Sequence, residues 1–463
     1  MSSRVSSSFR DPSGNVYFNH GKLLRQVNQV YRPDYDLLMS SGLFQKLVSR
    51  HQLVNHVECD EEPLDASLAY KVICPERIGF ISYPYEWSFS QLQDAALLTL
   101  GIEKEALAYG MVLKDASAYN IQFQNGAPIL IDTLSFARYV EGDPWVAYRQ
   151  FCQHFLAPLA LMAKVDRRLN KELTNYIDGI PLDLCSAMLP SSTRYSMGLG
   201  MHIHMHARAQ AHAEQAASTN PEQTPARAQK VSKLGLIGLV ESLEGLVRKL
   251  DCKITGTMWA DYYSATNYSD AAFEEKKKIV AELTGELKPH LIYDLGANTG
   301  IFSREAARDE NALVISSDID PEAVELNYRQ LKKDGVKNIL PLVIDLTNPS
   351  PAIGWENSER DAYLSRGHAD LVLALALVHH LAIANNVPLG SIAESFAKIG
   401  NHLLIEFVPK EDSQVKRLLR TREDIFDTYT LEGLLQAFGP HYKLVKQTPI
   451  ANSQRTMLLF QAK

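Results

Sequence analysis

The C-terminal half of the chain is predicted to be a doubly wound α/β domain, and the N-terminal half a smaller α+β domain. Three observations carry this. The run DLGANTG at 294–300 lies between an apolar strand, HLIY at 290–293, and a helical stretch that begins near Ile301. Apolar strands recur at 312–317, 339–344, 370–377, 403–408, 443–450 and 456–461, and helical runs such as 322–333 and 389–399 alternate with them. A stretch rich in Ala, Gln, Glu, Ser, Thr and Pro, from Ala207 to Lys230, separates this block from the sequence before it. Alternating strands and helices argue for a largely parallel sheet covered on both faces, with ligands at the strand carboxyl ends.

At 463 residues the chain exceeds one ordinary core, and a prior of about 150 residues per domain suggests two or three. The expected division is a domain over 1–205, a linker over 206–232 that cannot bury apolar surface, and a domain over 233–463. Within the last, 251–288 forms an N-terminal cap segment. An amphipathic helix is expected from Leu234 to Leu250, packed on the linker or the sheet. Hydrophobic residues make up 46% of the chain, enough to fill these cores. A net charge of -7 and a pI near 6.1 argue against a broad nucleic-acid surface, so nucleic acid is a disfavoured partner. Five scattered cysteines, with no CxxC pair, suit a reducing compartment without a disulfide framework. The first residues lack the apolar core of a signal peptide, and no stretch of about 18 apolar residues is present to span a bilayer. A soluble, cytoplasmic protein is expected.

The glycine run has a physical logic. A strand entering a helix through a tight turn exposes backbone N–H groups, and glycine lets a ligand approach without meeting a β-carbon. Gly296 and Gly300 meet that need, and Asn298 stands where a dinucleotide fingerprint has its middle glycine, because Asn tolerates positive φ. Asp294, ahead of the first glycine, is ill placed beside a pyrophosphate and well placed beside a cation. The strand over 312–317 ends in Asp318, Ile319 and Asp320, and a carboxylate there is placed for two ribose hydroxyls.

On these residues the region resembles the class I methyltransferases that use S-adenosyl-L-methionine. The resemblance implies a Rossmann-like seven-stranded methyltransferase domain. It also implies that Asp294, Gly296 and Gly300 surround the methionine part of the cofactor and Asp318 takes the ribose. Asp345 would read the adenine amino group, with Leu346 supplying adjacent backbone. The strand DLVLALAL at 370–377 leads to His379 and His380, where the family presents its active-site edge. An Asn-Pro-Pro-Tyr-like signature of adenine-methylating members is missing at that edge, which argues against amino methylation of a nucleobase. A methyl transfer to a hydroxyl needs a base, and a neutral imidazole with a pKa near ~6.5 fits that role. The alternative is that His379 and His380 orient the loop through hydrogen bonds. Asn385, Asn386 and Pro388, with Glu406, Pro409, Lys410 and Asp412 at the next strand end, occupy the positions from which an acceptor pocket is built. Trp259, Tyr262, Tyr263 and Tyr268 cluster in the cap segment. They read either as a cation–π wall for a sulfonium or as ordinary packing.

The N-terminal half holds a second constellation, in MVLKDASAYNIQFQNGAPILIDTLSF at 111–136. Asp115 and Asn120 are spaced as Asp-x-x-x-x-Asn, and Asp132 closes an apolar strand, 128–131. This resembles protein kinases and aminoglycoside phosphotransferases, and implies an α+β kinase-like domain. In that resemblance Asp115 orients or deprotonates an acceptor hydroxyl, while Asn120 and Asp132 hold Mg2+ beside ATP. A hairpin is expected over 14–27, one helix over 35–48, two strands over 69–87 and a helix over 88–108. The phosphate-cradling parts depart from the pattern: there is no GxGxxG, Lys71 falls too close to the hinge, and Lys22 or Arg25 occupies the strand that normally carries the lysine. An active phosphotransferase, a binding-only domain and a coincidental pattern therefore all stand. His202, His204 and His206 alternate in MHIHMHA and are expected in an exposed, extended, metal-free segment, since no carboxylate or cysteine joins them. The two-part order resembles the nodulation-associated NoeA group of predicted methyltransferases, which implies O-methylation of a small-molecule or glycan acceptor. The rivals are a bifunctional phosphotransferase and methyltransferase, and a non-catalytic scaffold that retains the cofactor fold.

Overall fold

The structure, a computed structural model, describes residues 3–219, 230–254, 256, 270–420 and 422–463. The chain forms two compact units, Met1–Lys253 with Ala352–Arg360, and Ile254–Pro351 with Asp361–Lys463. This division lies beyond the stretch at 206–232 that composition marks as the linker. The reason is the helix Lys233–Lys249, whose Leu236, Val240, Leu243 and Val247 are buried. Its carboxyl end is tied down by Gln93, whose Nε2 donates to the carbonyls of Val247 and Leu250 at 2.8 and 2.9 Å. This helix therefore packs within the N-terminal unit. No described helix is long and apolar enough to cross a membrane.

The N-terminal unit opens with a five-stranded antiparallel sheet in the order β1-β2-β3-β5-β4. Its strands are β1 (Ser3–Arg4), β2 (Gly14–Asn19), β3 (Lys22–Asn28), β4 (His56–Glu58) and β5 (Ala69–Pro75). The β2–β3 hairpin turns at His20 and Gly21, both at positive φ (47° and 80°), as a two-residue turn between right-twisted strands requires. Between β3 and β4 lie α1 (Arg32–Ser40) and α2 (Leu43–Ser49), where one helix was expected. Gly42 at φ 87° breaks it, a conformation that ends helices. Strand β4 was not foreseen. The second strand expected before residue 87 is absent, because Pro84–Glu86 forms a short 3-10 turn closed by Glu86 Oε2 accepting from the Tyr83 amide at 2.9 Å.

Ser88 then caps α3 (Phe89–Ala108), with Gln91 Oε1 accepting from the Ser88 amide at 3.0 Å. The hairpin of β7 (Ile121–Gln124) and β8 (Ala127–Leu130) turns at Asn125–Gly126, while β6 (Met111–Leu113) pairs with β9 (Phe136–Arg138). These two ladders hold the loops 114–120 and 131–135 side by side. The unit also takes in 352–360, where Arg10 pairs with Glu359 at 2.6 Å and Arg360 lies 4.4 Å over the Tyr119 ring.

The MHIHMHA segment is helical, with a π-type stretch over Gly200–Met205. His202 and His204 are buried, contrary to the exposed extended segment expected from their alternation. His202 shares hydrogen bonds with Tyr148 and Ser242 (2.8 and 3.0 Å), and His204 with Ser186 and Thr193 (2.7 and 2.8 Å). Hydroxyl partners satisfy the imidazoles, which lets a helix bury them.

The C-terminal unit is built on a seven-stranded sheet in the order β12-β11-β10-β13-β14-β16-β15. Its strands are β10 (Leu291–Leu295), β11 (Leu313–Asp318), β12 (Ile339–Val343), β13 (Ala369–Ala374), β14 (Gly400–Phe407), β15 (Tyr442–Pro449) and β16 (Thr456–Ala462). β16 runs antiparallel to both its neighbours, and the other pairings are parallel. The parallel strands read as near-continuous apolar runs because both faces are covered. The core gathers Ile292, Val314, Leu371, Leu373 and Leu404 from the strands with Val280 and Phe302 from helices. Strand order reverses between β10 and β13, so their carboxyl ends diverge into a crevice, the place where open α/β sheets bind ligands.

Candidate functional site

At that crevice the chain leaves β10 through Asp294 and turns on three residues at positive φ: Gly296 (72°), Asn298 (53°) and Gly300 (73°). Asn298 adopts the conformation its place in the pattern demands. The turn is pinned to the neighbouring strand by the amides of Gly296 and Ala297, both donating to the Ser317 carbonyl at 2.9 Å. A methyl group on Gly300 would lie 2.4 Å from both polar atoms of the Asn327 amide, and one on Gly296 would lie 3.1 Å from Leu377. Close packing as well as positive φ thus requires the glycines.

The two acids are buried. Asp318 closes β11, accepting from the Asn298 amide at 2.7 Å and the Asp320 amide at 2.9 Å. Asp294 accepts from Ser303 Oγ at 2.6 Å. Burial pushes both carboxyls up to about 6, against which their hydrogen bonds pull down. Neither has an ion-pair partner within 4 Å among the described residues. A carboxylate has about four acceptor positions, so Asp318 retains capacity for ligand hydroxyls. Ile319, between the buried Asp318 and Asp320, is 53% exposed and offers an apolar surface at the strand end. Sequence reasoning gave it no role, because its exposure is visible only in the fold. Asp345 lies past the end of β12, accepting from the amide and hydroxyl of Thr347 at 2.8 and 2.6 Å, and Leu346 follows it.

His379 and His380 follow β13, their rings 4.0 Å apart. His379 is wholly buried and His380 half-buried. Burial pushes the His380 pKa down to about 4 and that of His379 further, where His380, Arg455 and Lys276 add to the effect. The value near 6.5 expected from free imidazole is therefore displaced, and both rings are neutral throughout the cellular range.

Beside His379 lies an ionic chain that sequence reasoning did not assemble. Glu406, at the carboxyl end of β14, is held by Lys276 Nζ at 2.5 Å and by an Arg455 guanidinium nitrogen at 3.0 Å, and Arg455 reaches Asp412 at 2.8 Å. Lys276 and Glu406 are 3% and 0% exposed, and the Lys276 ammonium lies 4.0 Å over the Phe302 ring. Lys276 comes from the helix Asp270–Leu287, so only the fold unites these residues. Trp259, Tyr262, Tyr263 and Tyr268 lie outside the described residues.

In the N-terminal unit, Asp115, Asn120 and Asp132 are brought into one cleft. Asp115 Oδ1 accepts from the Ser117 amide at 2.9 Å and from Gln150 Nε2 at 2.8 Å, and burial, with Asp132 nearby, raises its pKa. Burial alone would raise Asp132 too, but the Arg25 guanidinium holds it below the usual carboxylate range. Arg25, rather than Lys22, is the cation that enters this cleft. Lys22 pairs with Glu61 at 2.6 Å in an exposed position.

A seven-stranded sheet of this order, with its glycine turn and strand-end acids, gives the C-terminal unit a Rossmann-like methyltransferase fold. The whole chain is 34% identical to the nodulation protein NoeA of Rhizobium meliloti strain 1021, over 99% of its own length and 96% of that protein, and it belongs to the NoeA family. No family model matches the sequence. Among solved structures, the magnesium protoporphyrin IX methyltransferase ChlM of Synechocystis PCC 6803 aligns over 45% of this chain and 92% of its own, at 14% identity and a TM-score of 0.32. The N-methyltransferase NodS of Bradyrhizobium japonicum WM9 aligns over 42% and 98%, at 10% identity and a TM-score of 0.32. The bifunctional kinase-methyltransferase WbdD aligns over 46% and 43%, at 14% identity and a TM-score of 0.30.

Proposed function

We propose that the chain transfers a methyl group from S-adenosyl-L-methionine to a hydroxyl of a small-molecule or carbohydrate acceptor. The observation that carries this reading is the pair of buried carboxylates, Asp294 and Asp318, flanking a glycine turn at the divergence of β10 and β13. The cofactor fits these residues. Asp294 and Asp318 bring buried negative charge that is not bonded to a cation, although Lys276 acts on Asp294 from further off, Gly296 and Gly300 keep the turn free of β-carbons, and Ile319 presents an apolar face with Asp345 and Leu346 along the same edge.

When bound, S-adenosylmethionine supplies a methyl group activated by a sulfonium. The residues of the chain then have to align the acceptor and exclude water. His380, beside the wholly buried His379, is the residue we assign to the acceptor proton. A pKa near 4 makes it a weak base, yet a hydroxyl oxygen becomes strongly acidic as it gains a methyl group, so a weak base in its neutral form suffices. The N-terminal kinase-like unit binds the same acceptor or a related one in this reading.

Calorimetry with S-adenosylmethionine provides the test. Wild-type protein should bind, and Asp318→Ala should weaken binding at least about tenfold, roughly 1.4 kcal/mol. Wild-type protein that does not bind would leave the scaffold reading, and unchanged affinity in Asp318→Ala would remove the ribose assignment. The acceptor is identified by the mass of the product that a labelled methyl donor yields from a cell extract.

A further inference from the structure

The kinase-like pattern implies a magnesium ion held by Asn120 and Asp132 with a nucleotide beside it. The cleft itself tests that implication. Asp132 Oδ1 lies 2.5 Å from an Arg25 guanidinium nitrogen and also accepts from the Leu134 amide at 2.8 Å. The two side chains are only 10% and 16% exposed. A second guanidinium nitrogen of Arg25 lies 3.4 Å from Asp11, so the cation bridges two carboxylates. Asn120 turns its amide nitrogen to Ser135 Oγ at 3.3 Å, and Asp115 is held by Ser117 and Gln150.

The segment before β2 is drawn onto the same loops. Lys114 Nζ donates to Ser13 Oγ at 2.6 Å and lies 4.5 Å over the Tyr31 ring. Gly14 is packed so closely that a β-carbon there would lie 2.1 Å from the Gln26 carbonyl oxygen and 2.7 Å from Leu134. These contacts pack the segment before β2 closely against the loops that carry Lys114 and Asp132.

Magnesium needs oxygen ligands converging at about 2.1 Å in near-octahedral geometry, and it gives up its waters reluctantly. A guanidinium bonded to one of those oxygens occupies its lone pair and repels a divalent ion. Arginine cannot relieve the conflict by losing a proton, because it stays charged in proteins. The metal does not fit the cleft as folded.

We infer that Arg25 is a tethered counter-ion standing in the place of the metal, which makes the N-terminal cleft a metal-independent, self-closed site that does not transfer phosphoryl groups. The cation arrives with the backbone of β3, so its occupancy does not depend on ion concentration, and Ser13 with Lys114 closes the cleft from the adjoining loop.

The test is a manganese titration of the full chain, followed by the electron paramagnetic resonance of free Mn2+, together with melting curves in Mg·ATP. Wild-type protein should give the same titration as Asp132→Asn, with no melting shift in Mg·ATP. Arg25→Gln should create a saturable Mn2+ site, bound at least tenfold more tightly than in wild type and removed again in Arg25→Gln/Asp132→Asn. Saturable Mn2+ binding in wild type that Asp132→Asn abolishes would overturn the inference, as would phosphate release from Mg·ATP that depends on Asp132. So would a folded Arg25→Gln with no new site. Should Arg25→Gln fail to fold, wild type against Asp132→Asn decides.

Discussion

The two clefts of this chain begin from the same ingredients and reach opposite electrostatic states. In the C-terminal unit, Asp294 and Asp318 are buried and accept from amide and hydroxyl donors, and burial pushes their carboxyls up to about 6. In the N-terminal unit, Asp132 is nearly as enclosed but is bonded to Arg25 and held below the usual range. The first arrangement stores unfavourable charge that, in the proposed function, a cationic, hydroxyl-rich ligand relieves, and the second is neutralised by the chain. Motif residues at correct spacing therefore say little until their partners are known, since the partner decides whether a ligand is needed.

Removing the cation should separate the clefts most sharply. Arg25→Ala strands Asp132 and Asp11, and loss of one partner from a buried pair costs about 3–5 kcal/mol. Urea unfolding of the N-terminal unit should register that loss, and an unchanged midpoint would mean that the pair contributes nothing. Glu406→Ala, which strands Lys276 and Arg455, should cost the C-terminal unit a similar amount.

Gly300→Ala comes next. A β-carbon at φ 73°, facing Asn327 at 2.4 Å, strains the turn by about 1–3 kcal/mol and should lower cofactor affinity in calorimetry more than it lowers the melting temperature. An equal fall in both would indicate a purely structural glycine.

A third contrast lies in pH. Asp294 and Asp318 have folded-state values near 6, above the ordinary value near 4, so the folded unit binds more protons than the unfolded chain between those limits. Its apo stability should fall as pH rises from about 4 through 6, by roughly 3 kcal/mol per group, and then level off. S-adenosylmethionine binding should strengthen over the same interval, because the ionised carboxylates are the ones that attract it. Asp318→Asn should flatten both profiles. Asp132, shifted the other way, adds its stability above the ordinary value and loses it only as pH falls below that range. The smallest effect is expected from Lys22→Ala, since its pair with Glu61 is exposed. Melting curves should match wild type within error, and a large drop would move the cleft's cation from Arg25 to Lys22.

Much of the C-terminal unit was legible because its determinants are local. A continuous apolar run makes a buried strand, and Gly or Asn at fixed intervals makes a turn at positive φ. Seven strands emerged near the residues where their hydrophobic runs lie. Errors gathered where local pattern competes with packing. Gly42 split the helix expected over 35–48, and Glu86 closed a turn where a strand was expected. The helix Lys233–Lys249 joined the N-terminal unit because its leucine and valine stripe found a partner in that unit, although composition had marked the boundary nearby. The alternation of His202, His204 and His206 misled because the hydroxyl partners of His202 and His204, invisible in the sequence, let a helix bury those two rings.

By itself the sequence determined the strand and helix alternation, the glycine turn, and the acids that end successive strands, since each follows from residues within a few positions of one another. Only the tertiary structure decided which charges meet: Lys276 with Glu406 and Arg455, Arg25 with Asp132, and the burial that drives His379 and His380 below their ordinary pKa. Those encounters join residues tens to more than a hundred positions apart. Their energies depend on removal from water, a property of the packed molecule that no short stretch of chain possesses.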